Sequence, residues 1–124
     1  MQIYSEYNAS NKVTLFNGDC LEFLCKLPNQ SVDLIITSPP YCMGKAYENP
    51  HDDIETFQTQ HRTIFKELYR VVKIGGSICW QTGYHVSDQC VVPLDYIVYD
   101  IFTSMSKRYK YPFVLRNRII WNLV

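Results

Sequence analysis

The sequence predicts an α/β fold, and three observations carry that prediction. Short apolar runs that read as strands, Val13 to Phe16 and Leu34 to Ile36, alternate with segments whose apolar residues recur every three or four positions. The turns between them hold the acidic, glycine and proline residues that end strands and open helices. One corner, Thr37-Ser38-Pro39-Pro40-Tyr41, follows an apolar strand directly and combines a hydroxyl, two rigid rings and an aromatic side chain.

The elements follow in chain order. Met1 to Asn11 is polar, with no apolar core long enough for export. Val13 to Phe16 predicts a strand that ends in the turn Asn17-Gly18-Asp19-Cys20; Leu21, Phe23, Leu24 and Leu27 then take helical spacing. An Asp at such a turn caps the helix or accepts hydrogen bonds from a cofactor, and taken singly Asp19 reads as a cap. The continuous run Leu34-Ile35-Ile36 predicts a strand buried on both faces. Pro39 and Pro40 remove two backbone donors and fix φ, so the strand must stop in a stiff, extended corner. Strand, acidic turn, helix, strand and corner together make a βαβ grammar, and ligands of open α/β sheets bind beyond the carboxyl ends of the strands.

Beyond the corner, Gly44 to His51 reads as a loop, with Cys42 an ordinary loop residue before it. Ile54, Phe57, His61, Ile64, Phe65, Leu68, Val71 and Val72 form the apolar stripe of a helix. Asp52 and Glu55 give its start a capping-box pattern, and Gly75-Gly76 is expected to end it. His61 lies on the stripe and reads as a core or boundary residue rather than a catalytic one. Ser77 to Gly83 predicts a strand, Leu94 to Met105 a helix, and Phe113 to Trp121 a further strand.

Composition bounds the function. A chain of 124 residues, 47% of them apolar, suits one modest core, so residues 1–124 are expected to form a single domain. Twelve basic and twelve acidic residues balance, which argues against a general nucleic-acid coat. The acids all lie at or before Asp100, however, whereas Lys107, Arg108, Lys110, Arg116 and Arg118 follow among Tyr109, Tyr111 and Phe113. That stretch reads either as a phosphate-contacting patch or as a solvated turn. The cysteines at 20, 25, 42, 79 and 90 show no metal-ligand spacing and are expected to be reduced and mostly buried. No metal site, membrane span or export signal is expected, which predicts a cytoplasmic chain.

Taken together, Gly18-Asp19-Cys20-Leu21-Glu22, Leu27-Pro28, Ser31-Val32-Asp33-Leu34-Ile35 and Thr37-Ser38-Pro39-Pro40-Tyr41 resemble the opening of one enzyme family, the beta-class amino-methylating DNA methyltransferases of the cytosine-N4/adenine-N6 type. Tyr69-Arg70-Val71-Val72-Lys73, Gly75-Gly76, Ile78-Cys79-Trp80-Gln81-Thr82-Gly83, Pro93-Leu94-Asp95 and Leu115 to Trp121 resemble its later segments. The resemblance implies a partial Rossmann-like, S-adenosylmethionine-dependent methyltransferase fold, and a place in restriction-modification. It implies that Ser38 and the Pro39 carbonyl hold the exocyclic amino group, with Pro40 stiffening the corner and Tyr41 stacking on a base flipped out of double-stranded DNA. Asp19 and Cys20 would belong to the cofactor site, and Lys107, Arg108, Lys110 and Arg116 to the DNA contact. Serine as the first motif residue goes with cytosine-N4 more often than with adenine-N6.

The family's Phe-x-Gly-x-Gly turn, which wraps the methionine part of the cofactor, has no counterpart in these residues, nor does its target-recognition segment. The fold is therefore expected to be truncated before the glycine-rich motif. By the same resemblance, the strands before Asp19 and Ser38 are separated by strands from that missing portion. The expectation is a split or truncated enzyme that pairs the two strands directly, recruits a second chain or self-associates, against a catalytically silent remnant as the competing reading.

Overall fold

The computed structural model describes residues 2–41, 53–87 and 89–121. Cys42, the loop Gly44 to His51 and Asp52 lie outside them. In chain order the elements are α1 (Cys20–Leu24), β1 (Val32–Thr37), α2 (Ile54–Val71), β2 (Val72–Trp80), β3 (Tyr84–Ser87), β4 (Cys90–Pro93) and α3 (Leu94–Ser106). They divide into two compact units. The first holds Met1–Ser38 and Thr63–Trp80, the second Pro39–Arg62 and Gln81–Val124.

In the first unit β1 and β2 run parallel, with α2 as the chain between them. A parallel pair needs such a crossover, and the α/β prediction of a partial Rossmann-like fold is met here. Leu34, Ile35, Ile36 and Thr37 pair with Ser77, Ile78, Cys79 and Trp80 in turn. Below Leu34 the register jumps, because Val32 pairs with Val72 while Leu34 pairs with Ser77. Gly75 and Gly76 therefore do not end the helix, as the sequence predicts, but occupy the excess length of β2 opposite Asp33. Helix α2 has already stopped at Val71. Gly75 takes a φ of +84°, which favours glycine, and a Cβ on Gly76 would lie 3.0 Å from the main-chain oxygens of Asp33 and Lys73. Phe65, Leu68, Val71, Val72 and Leu27 are the buried apolar residues of this unit. Burying a side chain of this kind contributes about 1.5–3 kcal/mol.

Two strand expectations are corrected in this unit. Val13 to Phe16 forms a single parallel bridge, Thr14 to Tyr4, rather than a strand. Its hydrogen bonds are Tyr4 N–H to the Val13 carbonyl at 3.2 Å and Leu15 N–H to the Tyr4 carbonyl at 2.8 Å. The segment has no longer neighbour to pair with among the described residues. Nor is β1 buried on both faces, since Leu34 is 50% and Ile36 74% exposed. Its composition suits a covered strand, but among the described residues its sheet has two strands.

In the second unit β3 and β4 form an antiparallel hairpin from Tyr84↔Pro93 to Ser87↔Cys90, which leads straight into α3. Leu94, Val98, Ile101, Phe102 and Ser106 are the buried residues of α3 and recur at helical spacing. The amino-terminal half of α2 adds buried Phe57 and His61. Asp53 caps that end, its Oδ1 accepting from Thr56 N–H at 2.8 Å. Phe113 to Trp121 is not a strand, a further correction. Strand-forming composition yields no ladder without a partner, and Ile120 and Trp121 are left 80% and 79% exposed. Cysteines 20, 25, 79 and 90 are free but exposed, so the expectation of burial fails for the described thiols: two of them flank exposed turns, and Cys79 lies on the thin two-stranded sheet.

Candidate active-site corner

The corner begins where the parallel pair ends. Thr37 is the last residue of β1 and pairs with Trp80, the last of β2, so the next residue, Ser38, leaves the sheet at the carboxyl end of two adjacent parallel strands. That is where a parallel sheet offers its ligand crevice, because the strands diverge into loops there. Ser38 is exposed, Pro39 half-buried, Pro40 exposed and Tyr41 half-buried. Pro39 and Pro40 bring no N–H to the corner, so its main chain presents carbonyl acceptors. Hydroxyl, carbonyls and ring follow one another within four residues. An amino group needs such neighbouring acceptors if its N–H bonds are to be aligned.

The register that places Ser38 is set at the opposite end of the sheet. Gln30 N–H donates to the Arg70 carbonyl at 2.9 Å and Ser31 N–H to the Val71 carbonyl at 2.8 Å. The Lys73 ammonium then meets both Asp33 oxygens at 2.9 and 2.7 Å. That pair is exposed and contributes at most about 1 kcal/mol.

The Asp19 turn lies in the same unit as Ser38. Asp19 has extended φ/ψ, and its Oδ1 accepts from Leu21 N–H at 2.7 Å while its carbonyl accepts from Phe23 N–H at 3.2 Å. It is the N-cap of α1. Capping engages Oδ1 and leaves the carboxylate's further acceptor positions to other chemistry. Gly18 packs beside it, and a Cβ there would sit 2.7 and 2.9 Å from the tip of the Phe16 ring, so a larger residue would displace that ring. That ring stacks on Phe23 at 5.3 Å and carries the Lys26 ammonium 4.6 Å above it. Shielding of the sulfur, followed by the Asp19 carboxylate, pushes the Cys20 thiol above its usual pKa. Both influences disfavour the thiolate that a nucleophilic cysteine needs.

The basic stretch lies in the second unit, as do Pro39, Pro40 and Tyr41. Lys107 is the C-cap of α3. The Arg108 guanidinium lies 5.1 Å from the Tyr109 ring and donates to its hydroxyl at 3.1 Å, and the Lys110 ammonium lies 5.3 Å from the Tyr111 ring. Lys107, Arg108, Lys110 and Arg116 are all exposed. Arg118 pairs instead with Asp95 on α3 at 2.5 Å, which takes it out of the cluster. His61 is 2% exposed with Nδ1 2.7 Å from the Phe57 carbonyl, as a core histidine should be. No group of three or more metal-ligating side chains occurs among the described residues. No helix among them is long and apolar enough to cross a membrane.

Two residues lie in segments that carry the resemblance but receive no role from it. Trp80 is the cross-strand neighbour of the residue before Ser38, and Arg70 ties α2 to the turn after α1 through its guanidinium. Arginine in the last turn of a helix is too common to signal the second role.

A parallel β1–β2 pair joined through α2, with a hydroxyl, two prolines and an aromatic ring following the carboxyl end of β1, defines an α/β core. The DNA methylase family model N6_N4_Mtase matches residues 32–123, from β1 through the basic stretch, and the chain belongs to that family. It is 38% identical over 108 residues to the Type II methyltransferase M.BglII of Bacillus subtilis, covering 86% of this chain and 28% of that protein. Over 118 residues it is 34% identical to the Type II methyltransferase M.ScaI of Streptomyces caespitosus, covering 94% of this chain and 36% of the relative. The DNA adenine methyltransferase YhdJ of Escherichia coli is 36% identical over 67 residues, or 52% of this chain and 23% of that one. The chain thus spans about a third of the length of the first two relatives.

Proposed function

We propose that this chain supplies the methyl-acceptor corner of a site-specific DNA methyltransferase, transferring a methyl group from S-adenosylmethionine to the exocyclic amino group of a flipped base in double-stranded DNA. The observation that carries the reading is Ser38-Pro39-Pro40-Tyr41 at the carboxyl end of the parallel β1–β2 pair. An exocyclic nitrogen is a poor nucleophile because its lone pair is delocalised into the ring. Ser38 Oγ and the Pro39 carbonyl accept its N–H bonds and turn the lone pair toward the methyl donor, while Tyr41 stacks on the base and offsets its unstacking. The nitrogen sheds its proton to water after transfer, so the step needs no carboxylate base. S-adenosylmethionine supplies the electrophilic methyl when bound. Asp19, beside Cys20, accepts hydrogen bonds from its polar groups.

Serine at the head of the corner favours cytosine-N4 as the target, with adenine-N6 as the alternative that the likeness to an adenine methyltransferase keeps in view. Lys107, Arg108, Lys110 and Arg116 contact phosphates. Residues 1–124 serve as one catalytic portion, and the activity belongs to this portion together with the length its relatives carry beyond it, on the same polypeptide or a second one. Exposed Leu34 and Ile36 on β1 and exposed Ile119 to Trp121 support that need. Nucleoside analysis of DNA treated with the complete enzyme tests the reading: N4-methylcytosine is expected, N6-methyladenine reverses the choice of base, and neither product refutes it. Ser38→Ala is expected to lower kcat by about tenfold or more with little change in DNA affinity, because the lost bond strengthens in the transition state.

A further inference from the structure

Helix α1 is five residues long and none of them is buried, so packing alone does not hold the Asp19 turn in place. A helix of that length has no stability of its own. Its amino end is closed by Asp19 itself. At its carboxyl end Lys26 N–H and Leu27 N–H turn back onto the Phe23 and Leu24 carbonyls, each at 3.0 Å, and the turn is tied down from 46 residues away, where one Arg70 Nη donates to the same Leu24 carbonyl at 2.7 Å. The other Nη donates to the Leu27 carbonyl at 2.7 Å and to Asn29 Oδ1 at 2.9 Å. Nε completes the fork on Glu67 at 2.8 Å, which aims the guanidinium. A cation on the last carbonyls of a helix also opposes its dipole.

We propose that Arg70 is a positioning residue for the Asp19 turn: it clamps the carboxyl end of α1 to the α2–β2 junction that also fixes the register of β1. The two anchors are separable. Gln30 and Ser31 bond to the main-chain carbonyls of Arg70 and Val71, which any side chain at position 70 leaves intact, whereas α1 is held through the side chain. Lysine keeps the charge but has a single ammonium, which does not span two carbonyls, an amide and a carboxylate at once. The consequence for methyl-donor affinity rests on the reading of Asp19 as a cofactor ligand.

Amide hydrogen exchange on the full chain separates the two anchors. In Arg70→Lys the Leu21, Phe23 and Cys25 amides are expected to exchange about tenfold faster, while those of Gln30, Ser31 and β1 keep their rates. Glu67→Gln, which only loosens the aim of the fork, is expected to give the same pattern at smaller amplitude, and Lys73→Ala to leave α1 unchanged. Uniform acceleration across the first unit, or none in α1, overturns the proposal. Calorimetry of the complete enzyme with S-adenosylmethionine is the second readout, with binding by Arg70→Lys expected about tenfold weaker than by the unaltered enzyme. Equal affinities overturn the link between the clamp and the cofactor. An unaltered complete enzyme that binds no S-adenosylmethionine sinks the Asp19 reading instead, and the exchange pattern still decides the role of Arg70.

Discussion

Ser106→Ala tests how the basic stretch is held to the end of α3. Ser106 is the last residue of that helix and is fully buried. Its Oγ donates to the Thr103 carbonyl at 3.1 Å and accepts from Phe113 N–H at 2.9 Å, so one hydroxyl closes the loop that carries Lys107, Arg108 and Lys110. Removing it is asymmetric. The Thr103 carbonyl keeps Lys107 N–H at 3.2 Å, but Phe113 N–H loses its acceptor in a partly buried place. An orphaned donor costs about 1–3 kcal/mol, and partial access of water brings the expected loss toward 1 kcal/mol. Phe113 also sets its ring 6.1 Å from that of Phe102, so a freed amide loosens an aromatic contact as well. Urea unfolding of the chain should show a lower midpoint at unchanged m-value, and the Phe113 amide should exchange severalfold faster. A stability change below about 0.3 kcal/mol with unaltered Phe113 exchange would refute the assignment of that hydroxyl as the closing bond.

Three further outcomes are expected. Gly76→Ala forces a methyl to 3.0 Å from two main-chain oxygens and should destabilise the chain by about 1–3 kcal/mol in thermal unfolding, more than a change on an exposed face. Burial lowers the His61 pKa from its ordinary 6.5, so the unfolded chain binds the proton more readily. Stability contributed by His61 is then complete above pH 6.5 and is lost as the pH falls toward the folded-state value, and a His61→Gln variant should flatten that part of a stability–pH curve. For DNA binding by the complete enzyme, replacing Arg116 with Gln should weaken affinity for all sequences alike and reduce the slope of log K against log salt by about 0.9 for each phosphate that the guanidinium neutralises; an unchanged slope removes Arg116 from the interface.

The sequence made legible what depends on neighbours close in the chain. Helix α2 follows from its apolar period, the Asp19 cap from an acid before that of α1, and the arrest of β1 from two prolines. Strands are another matter, because a ladder is a property of two segments. Val13 to Phe16 and Phe113 to Trp121 have strand composition yet make one bridge and no ladder, respectively, among the described residues. Conversely β3 and β4 pair through a turn that lacks the usual Asn-Gly signal and includes Gln89 at a φ of +62°. Reading Gly75-Gly76 as a helix terminator failed for the same reason. Val72 goes directly from helix to strand because Val32 is there to pair with it, and the glycines absorb the length this leaves over.

The same division runs through the candidate site. The chemistry of Ser38 to Tyr41 is written in adjacent residues and can be read as a motif. Its placement is not, since Ser38 emerges where it does because β1 is locked to β2 at a register set near Gln30 and Val72. A slip of one residue in that ladder would turn Thr37 to the other face and carry the corner about 3.3 Å along the sheet, further than a near-attack geometry tolerates. The main-chain groups of Gln30, Ser31, Arg70 and Val71, with the Asp33–Lys73 pair, therefore act on the proposed methyl transfer without touching a base. A change that shifts this register should move the corner, whereas a change at Ser38 alters only what the corner can accept.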